Sequence, residues 1–291
     1  MGGNMVSRLL AAAGITVHVW DRDAGKTREM EQKGARGANN RRQLIARLRV
    51  RPRIVWMMLP AGDATEETFG RLLALLETGD IIIDGANSHW QDSVRRHREA
   101  ARNGIGMLDV GVSGGIIATE SGYPLMVGGE EATYRRCLPL FQRLGPPEGT
   151  ALVGDGGSGH YVKMVHNAIE YGMMQAIAEG FDLLKNGSKV DLDVKRIAHL
   201  WNHGSIIESL LLKMVERALE KDHTLAEVAP RVEDSGEGRW CVIDAITNGV
   251  PFVSNTHAVN ARFQSGITDS FALKLLACMR KEFGGHPVER I

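Results

Sequence analysis

The sequence predicts two domains, an α/β domain built on a parallel sheet and then an all-helical domain. Short apolar segments alternate with helical patterns through residues 1–151, as they do in βαβ units. Glycine, serine and aspartate cluster just after residue 151, and the patterns beyond that cluster are helical. A chain of 291 residues is long enough for two ordinary domains. We therefore assign residues 1–151 to the first domain and residues 152–291 to the second.

The elements of the first domain follow from its apolar runs and the polar segments between them. Runs rich in valine, isoleucine and other strand formers predict strands over 16–20, 54–59, 81–84 and 107–110. Helical periodicity in the neighbouring segments predicts helices over 5–13, 23–33, 64–78 and 90–103. Because parallel strands joined by helices place their carboxyl ends at one edge of the sheet, we expect ligand-binding residues at that edge.

The second domain is predicted to open with one long helix over residues 157–187, which follows a glycine-rich segment. Further helical patterns cover 192–203, 206–220, 224–232, 238–248 and 256–283. No strand pattern is evident beyond about residue 151, so we expect this domain to be all-helical.

Composition narrows the classes of function. Lysine and arginine together number 35, as do aspartate and glutamate, so net charge gives no reason to expect nucleic acid or an anionic membrane as partner. The three cysteines are widely spaced and form no CxxC pair, which argues against a disulfide framework and against a metal site. No apolar run approaches the ~20 residues that span a bilayer, and no signal-peptide pattern opens the chain. We expect a cytoplasmic protein that acts on a small molecule.

The start of the chain carries features of a dinucleotide-binding, Rossmann-like domain. A helix opens at Gly2, and Asp21 stands about 20 residues further on at the end of a strand pattern, where a carboxylate binds ribose hydroxyls and favours NAD. Arg22 beside it keeps NADP as a second candidate. If Gly2 is the last glycine of the usual fingerprint, the first strand and the first two glycines would precede residue 1; a flexible terminus is the alternative. On this interpretation Gly2, Asn4, Asp21 and Arg22 bind the cofactor.

Three short segments follow strand patterns and are expected at the carboxyl edge of the sheet. Leu59 and Pro60 end one strand, and Asn87 follows another, so both segments are predicted to contact the cofactor. The run Ser113-Gly114-Gly115 offers a hydroxyl and backbone N–H groups that a carboxylate can approach closely. Each segment alone also fits an ordinary turn.

The long predicted helix carries four polar residues along one face. Lys163, His166, Asn167 and Glu170 are spaced at i, i+3, i+4 and i+7, which places them on one stripe. Lysine and glutamate seven residues apart are too distant to pair as i,i+4 partners, which leaves room for a substrate between a base and an acid. The alternative is a solvated helix face. The glycine-rich entry and the apolar continuation of the helix favour the proton-transfer site.

Five segments occur in the order found in decarboxylating 6-phosphogluconate dehydrogenase, and they span nearly the whole chain. They are Asp84-Gly85-Ala86-Asn87-Ser88, Gly111-Val112-Ser113-Gly114-Gly115, Gly122-Tyr123-Pro124-Leu125-Met126-Val127-Gly128-Gly129, Lys163-Met164-Val165-His166-Asn167-Ala168-Ile169-Glu170-Tyr171 and Phe283-Gly284-Gly285-His286. The chain resembles the short, NAD-preferring branch of this family. Relatives elsewhere in the β-hydroxyacid dehydrogenase superfamily keep the lysine but not the glutamate.

The resemblance implies a reaction and a role for each residue of the stripe. 6-Phosphogluconate would be oxidised at C3 with NAD and then lose CO₂ to form ribulose 5-phosphate, in pentose phosphate or gluconate metabolism. Lys163 would be the general base at the C3 hydroxyl, and Glu170 would protonate C1 of the enediol. The implied contacts to the carboxylate and hydroxyls of the substrate are Asn87, Ser113, Gly114, Gly115, His166 and Asn167.

The resemblance also implies how the phosphate is bound. Tyr171 and Arg262 match phosphate ligands of the family, whereas Ser235 stands where the long form has a lysine. Arg280 and His286 match a C-terminal pair that reaches into the neighbouring subunit's site, which implies a homodimer or homotetramer. An arginine can contact a phosphate in a bidentate manner. Taken alone, Arg262 or Arg280 could equally form a surface salt bridge.

Two alternatives remain open. One is another β-hydroxyacid dehydrogenase acting on a different acid, which Glu170 and the phosphate arginines disfavour. The other is an N-terminally truncated paralogue with impaired cofactor binding that serves as an oligomerising subunit, which the incomplete glycine fingerprint favours.

Overall fold

A computed structural model describes residues 1–12, 14–284 and 287–289. The chain folds into two compact units, Met1–His166 and Asn167–Ile291. Within the described residues every strand lies before residue 155, and helices make up the regular structure beyond it. The predicted fold class is therefore confirmed. The predicted boundary at residues 151 and 152 stays a prediction.

The first unit alternates helices and strands. In chain order they are α1 (Gly2–Leu10), β1 (His18–Val19), α2 (Ala24–Gln32), β2 (Arg36–Gly37), α3 (Arg41–Arg47), β3 (Ile54–Met57), α4 (Asp63–Leu73), β4 (Ile81–Asp84), α5 (Trp90–Arg102), β5 (Gly106–Val112), α6 (Ala118–Ser121), β6 (Leu125–Gly129), α7 (Glu131–Leu144) and β7 (Thr150–Gly154). Helix α8 (Ser158–Asp182) begins in this unit and continues into the second.

The strands form two sheets. β1 and β2 pair in parallel, and β3 to β7 form a five-stranded sheet in chain order. Neighbours in the larger sheet are parallel except β5 and β6, which are antiparallel. The chain returns between these two strands through the short helix α6 rather than through a full crossover helix.

Two apolar cores cover the faces of the larger sheet. Successive residues of a strand point to opposite faces, so Ile81 and Ile83 of β4 pack in the core that contains Phe141 of α7. Ile82 packs on the other face with Phe69 of α4. All three isoleucines are at most 2% exposed. The continuous apolar run of β4 thus reflects burial on both faces.

The second unit is helical in its described residues. After α8 and a short π-helical turn at Leu183–Gly187, its helices are α9 (Val194–Trp201), α10 (Leu210–Lys221), α11 (Glu237–Thr247), α12 (Val253–Ser265) and α13 (Phe271–Gly284). None of the described helices is long and apolar enough to cross a membrane.

Several element predictions were incomplete or wrong. β6 and β7 were not predicted because both contain glycine, which is rare in strands. β7 ends at Gly154, so a strand continues past residue 151, where none was expected. The helix predicted over 224–232 is absent because this proline-containing segment forms turns instead. The helix predicted over 256–283 is two helices, because α12 ends at Ser265 and α13 begins at Phe271 after a short turn.

Candidate functional site

Asp109 attaches the start of α8 to strand β5. Its Oδ1 accepts hydrogen bonds from Gly157 N (2.7 Å) and His97 Nε2 (2.8 Å), and its Oδ2 accepts one from His160 N (2.8 Å). The N–H groups at a helix start have no partners within the helix, so this carboxylate acts as an N-cap supplied by a strand.

The environment of Asp109 keeps its carboxyl ionised. The side chain is fully buried, and this burial by itself raises the pKa. The hydrogen bond from His97, the charges of His160 and His97 and the hydrogen bond from Gly157 outweigh burial and hold the pKa of Asp109 below its usual value. A charged residue in the otherwise apolar run Met107–Val110 was the available signal for this role, because a buried charge needs a partner. This role of Asp109 was not predicted from the sequence.

Gly111 lets α8 lie close to the same strand. It lies two residues after Asp109 and therefore on the same face of β5. A Cβ added at Gly111 would collide with Lys163 Cβ and would lie 2.8 Å from the carbonyl oxygen of Gly159. Asp109 therefore sets where α8 begins, and Gly111 provides the space in which the stem of Lys163 packs.

A hydrogen-bonded chain joins Lys163 to Ser113 within the first unit. Lys163 Nζ lies 3.4 Å from His166 Nδ1, and His166 Nε2 lies 3.1 Å from Ser113 Oγ. When the lysine is an ammonium, it donates to Nδ1, and the Nε2–H donates to the serine. When the lysine is neutral, one of its N–H groups makes the same donation to Nδ1, and the nitrogen lone pair stays free. The same geometry satisfies both protonation states of the lysine.

The run Ser113-Gly114-Gly115 after β5 has a backbone conformation that lets a ligand approach closely. Gly114 (φ 98°) and Gly115 (φ 59°) adopt left-handed conformations that favour glycine. The N–H of Ser113 donates to Pro124 O (3.0 Å). Ser113 therefore offers its hydroxyl rather than its N–H to a ligand at this run.

In the second unit a polar cluster forms around Tyr171. Its hydroxyl lies 3.0 Å from Ser235 Oγ and accepts a hydrogen bond from Ser235 N (3.3 Å). The guanidinium of Arg262 stacks 3.4 Å from the centre of the tyrosine ring and donates to Glu233 O (2.9 Å). A Cβ at Gly238 would lie 2.7 Å from the ring. Three residues predicted to bind the phosphate are thus brought together.

The other predicted residues of the second unit are placed as follows. Asn167 and Glu170 belong to α8, which continues without a break through both positions and confirms their helical spacing. Arg280 is exposed on α13. His286 lies outside the described residues.

The residues predicted to contact the cofactor lie at the start of α1 and after β1, β3 and β4. A Cβ at Gly2 would lie 3.2 Å from Met58 Cβ, so the start of α1 adjoins the end of β3, where Leu59 and Pro60 follow. Asn4 lies in the first turn of α1.

Asp21 and the exposed Arg22 follow β1 after one intervening residue, Trp20. Asp21 Oδ1 accepts a hydrogen bond from Asp23 N (2.8 Å), which orients the carboxylate. A carboxylate after a strand and a helix start suit the ribose and the pyrophosphate of a dinucleotide. The described residues contain no group of three or more metal-ligating side chains.

Comparison with known proteins identifies relatives across both units. Residues 1–154 match the family described as the NAD binding domain of 6-phosphogluconate dehydrogenase, and residues 159–274 match the 6-phosphogluconate dehydrogenase C-terminal domain. A Haloferax volcanii protein named NAD(+)-dependent, decarboxylating 6-phosphogluconate dehydrogenase is 40% identical over 292 residues, covering 100% of this chain and 96% of the relative.

Solved structures share the fold. The 6-phosphogluconate dehydrogenase of Plasmodium falciparum, studied with NADP+ and with 6-phosphogluconate, superposes with a TM-score of 0.84 at 28% identity, covering 100% of this chain and 64% of that chain. A 3-hydroxyisobutyrate dehydrogenase from Mycobacterium tuberculosis has a TM-score of 0.69 at 21% identity, with 96% of each chain covered. This second likeness concerns the fold alone.

Proposed function

The chain belongs to the 6-phosphogluconate dehydrogenase family, and we propose that it oxidises 6-phosphogluconate with NAD and decarboxylates the product to ribulose 5-phosphate. The observation that carries this proposal is the hydrogen-bonded chain Lys163–His166–Ser113. It joins a lysine base to a hydroxyl suited to the substrate carboxylate. Glu170 follows two turns later on the same helix.

Lys163 removes the proton of the C3 hydroxyl in the first step; NAD, held by residues at the start of α1 and after β1, would supply the hydride acceptor. Neutral lysine is required for this step, and one of its N–H groups donates to His166 Nδ1, which leaves the nitrogen lone pair free to take the proton of the C3 hydroxyl. After proton transfer the ammonium keeps its hydrogen bond to His166 Nδ1, and the imidazole donates from Nε2 to Ser113 Oγ as before, so that the imidazole proton does not move. The hydroxyl proton of Ser113 is then directed to the substrate carboxylate.

Loss of CO₂ from the β-keto acid leaves an enediol, which needs a proton at C1. The ammonium of Lys163 stabilises the developing charge on the C3 oxygen. Glu170 supplies the proton to C1. His166 and Asn167 orient the sugar hydroxyls, and the run Ser113–Gly115 holds the carboxylate until it leaves.

The cluster of Tyr171, Ser235 and Arg262 binds the phosphate. Two hydroxyls and one guanidinium supply donors and a positive charge within a few ångströms of one another. Arg280 and His286 of a neighbouring copy complete this site in a homodimer or homotetramer. The exposed apolar side chains of α13 support such an assembly, among them Phe271 (76% exposed) and Leu273 (67%).

Asp21 supports NAD as the preferred cofactor, because a carboxylate at the ribose disfavours a 2′-phosphate. Arg22 leaves NADP usable. The substrate is a small phosphorylated sugar acid, and neither nucleic acid nor membrane is proposed as a partner. We place the enzyme in the cytoplasm, where phosphorylated sugars are metabolised.

The direct test incubates the purified chain with 6-phosphogluconate and NAD, and follows NADH together with CO₂ released from C1-labelled substrate. The proposal expects equal amounts of both products and a preference for NAD over NADP. Unphosphorylated hydroxy acids are the controls. Rapid turnover of one of them, with no NADH from 6-phosphogluconate, would instead identify a different β-hydroxyacid dehydrogenase.

A further inference from the structure

Asn87 is the single exposed residue in a buried stretch at the end of β4. Every residue from Ile81 to Ser88 is buried except Asn87. Residues 85–88 follow the strand without regular helix or strand structure. A segment of this kind keeps one side chain in a fixed direction only if other bonds hold its backbone.

Asp84 closes this loop on both sides of Asn87. Its Oδ1 accepts a hydrogen bond from Ala86 N (3.1 Å), and its Oδ2 accepts one from Ser88 Oγ (3.2 Å). The carboxylate is fully buried. The direction of the Asn87 side chain therefore depends on where Asp84 is held.

Arg96 of α5 holds Asp84 and Ser88 together. Its Nη1 donates to Asp84 Oδ2 (2.6 Å) and to Ser88 Oγ (3.2 Å). Its Nε and Nη2 donate to Glu66 Oε1 of α4 at 3.0 and 2.6 Å. The planar guanidinium thus joins the loop to two helices in one geometry, which a lysine cannot reproduce.

We propose that Arg96 is a positioning residue for Asn87, which it holds in the direction needed to contact cofactor and substrate. The inference rests on the proposed function and on the contacts with cofactor and substrate that the sequence predicts for Asn87. The side chain of Arg96 is 0% exposed, so it acts through the loop rather than by touching a ligand. Its charge remains buried because two carboxylates balance it.

Arg95 provides a matched control. It is the next residue on the same helix and also forms an ion pair with Glu66. Its side chain is 50% exposed, and its other ion pairs are with Asp92 and Glu99 on α5 itself. Replacing Arg95 therefore removes a guanidinium from Glu66 without removing the bonds that hold the loop.

The test is a double-mutant cycle on Arg96→Lys and Asn87→Ala, with Arg95→Lys as control. We expect Arg96→Lys to lower kcat/KM by about 10- to 100-fold, the scale of a small misplacement of a positioning group. In the Asn87→Ala background, Arg96→Lys should lower kcat/KM by less than about twofold, because the effects of residues that act through one another are not additive. Arg95→Lys should change kcat/KM by less than about twofold. Additive losses, or equal effects of the two lysine variants, would overturn the inference.

A second variant and a second measurement distinguish the positioning role of Arg96 from a folding defect and from failure of the proposed reaction. Ser88→Ala removes one hydroxyl of the same network, so it replaces Arg96→Lys in the cycle if that variant does not fold. Amide hydrogen exchange of residues 84–88 reports the loop without any substrate. Faster exchange in Arg96→Lys than in Arg95→Lys is expected, and unchanged exchange would refute the positioning role. If the unmodified chain shows no turnover, the proposed function fails, while exchange still tests the loop.

Discussion

Replacing Asp109 with asparagine tests whether strand β5 determines where the helix of the lysine base begins. The carboxylate accepts hydrogen bonds from Gly157 N, His160 N and His97 Nε2 in a fully buried site. Asparagine keeps one acceptor oxygen and turns an N–H₂ donor toward groups that also donate. Removing one partner of a buried, charge-assisted network costs about 3–5 kcal/mol, so we expect a loss of that size in the free energy of unfolding.

The loss of stability in Asp109→Asn should depend on pH, and the direction of this dependence follows from the pKa of Asp109. The pKa of Asp109 is lower in the folded chain than in the unfolded one, so its carboxylate stabilises the fold fully above the unfolded pKa of about 3.9. That stabilisation disappears as the pH falls through the lower folded pKa. The difference in stability between the unmodified chain and Asp109→Asn should therefore be constant near neutrality and shrink below about pH 4.

Urea unfolding at a series of pH values measures this difference directly. Asp193→Asn is the matched control, because Asp193 caps α9 by accepting from Arg196 N (3.0 Å) at an exposed position. Asparagine caps helices as well as aspartate does, so the control should cost less than about 1 kcal/mol. A loss below about 1 kcal/mol for Asp109→Asn, or a loss that persists unchanged in acid, would refute the role of Asp109 as a cap.

Three other substitutions probe the proposed site. Glu170→Gln should reduce product formation more than hydride transfer, so rapid-quench assays should find NADH ahead of ribulose 5-phosphate; equal slowing of both would argue against Glu170 as the acid. Gly111→Ala should lower kcat by about 100-fold by displacing Lys163, whereas Gly70→Ala, whose added Cβ has no atom within 4 Å, should keep full activity. Arg262→Lys should raise KM for 6-phosphogluconate about tenfold through loss of bidentate contacts, and an unchanged KM would remove Arg262 from the phosphate site.

Local patterns predicted strands β3 and β4 because apolar runs in the sequence reflect burial directly. β3 and the first three residues of β4 are apolar, and the positions of both strands agree with the predicted ones. β6 and β7 were missed because their glycine-containing runs become strands only through pairing with neighbours distant in sequence. The helix expected over 224–232 is absent because Pro230 interrupts the segment, which forms turns instead.

The sequence by itself determined the stripe from Lys163 to Glu170, because helical spacing is a local property that follows from backbone geometry. It also carried the motifs that identify the family. Only the tertiary structure decided what holds these residues in place. Asp109 caps a helix start 48 residues away, and Arg96 joins Asp84 to Glu66 across α5 and α4. These partners are determined by which strand packs beside which helix. A local sequence pattern contains no information on that packing, because the partners are distant in sequence.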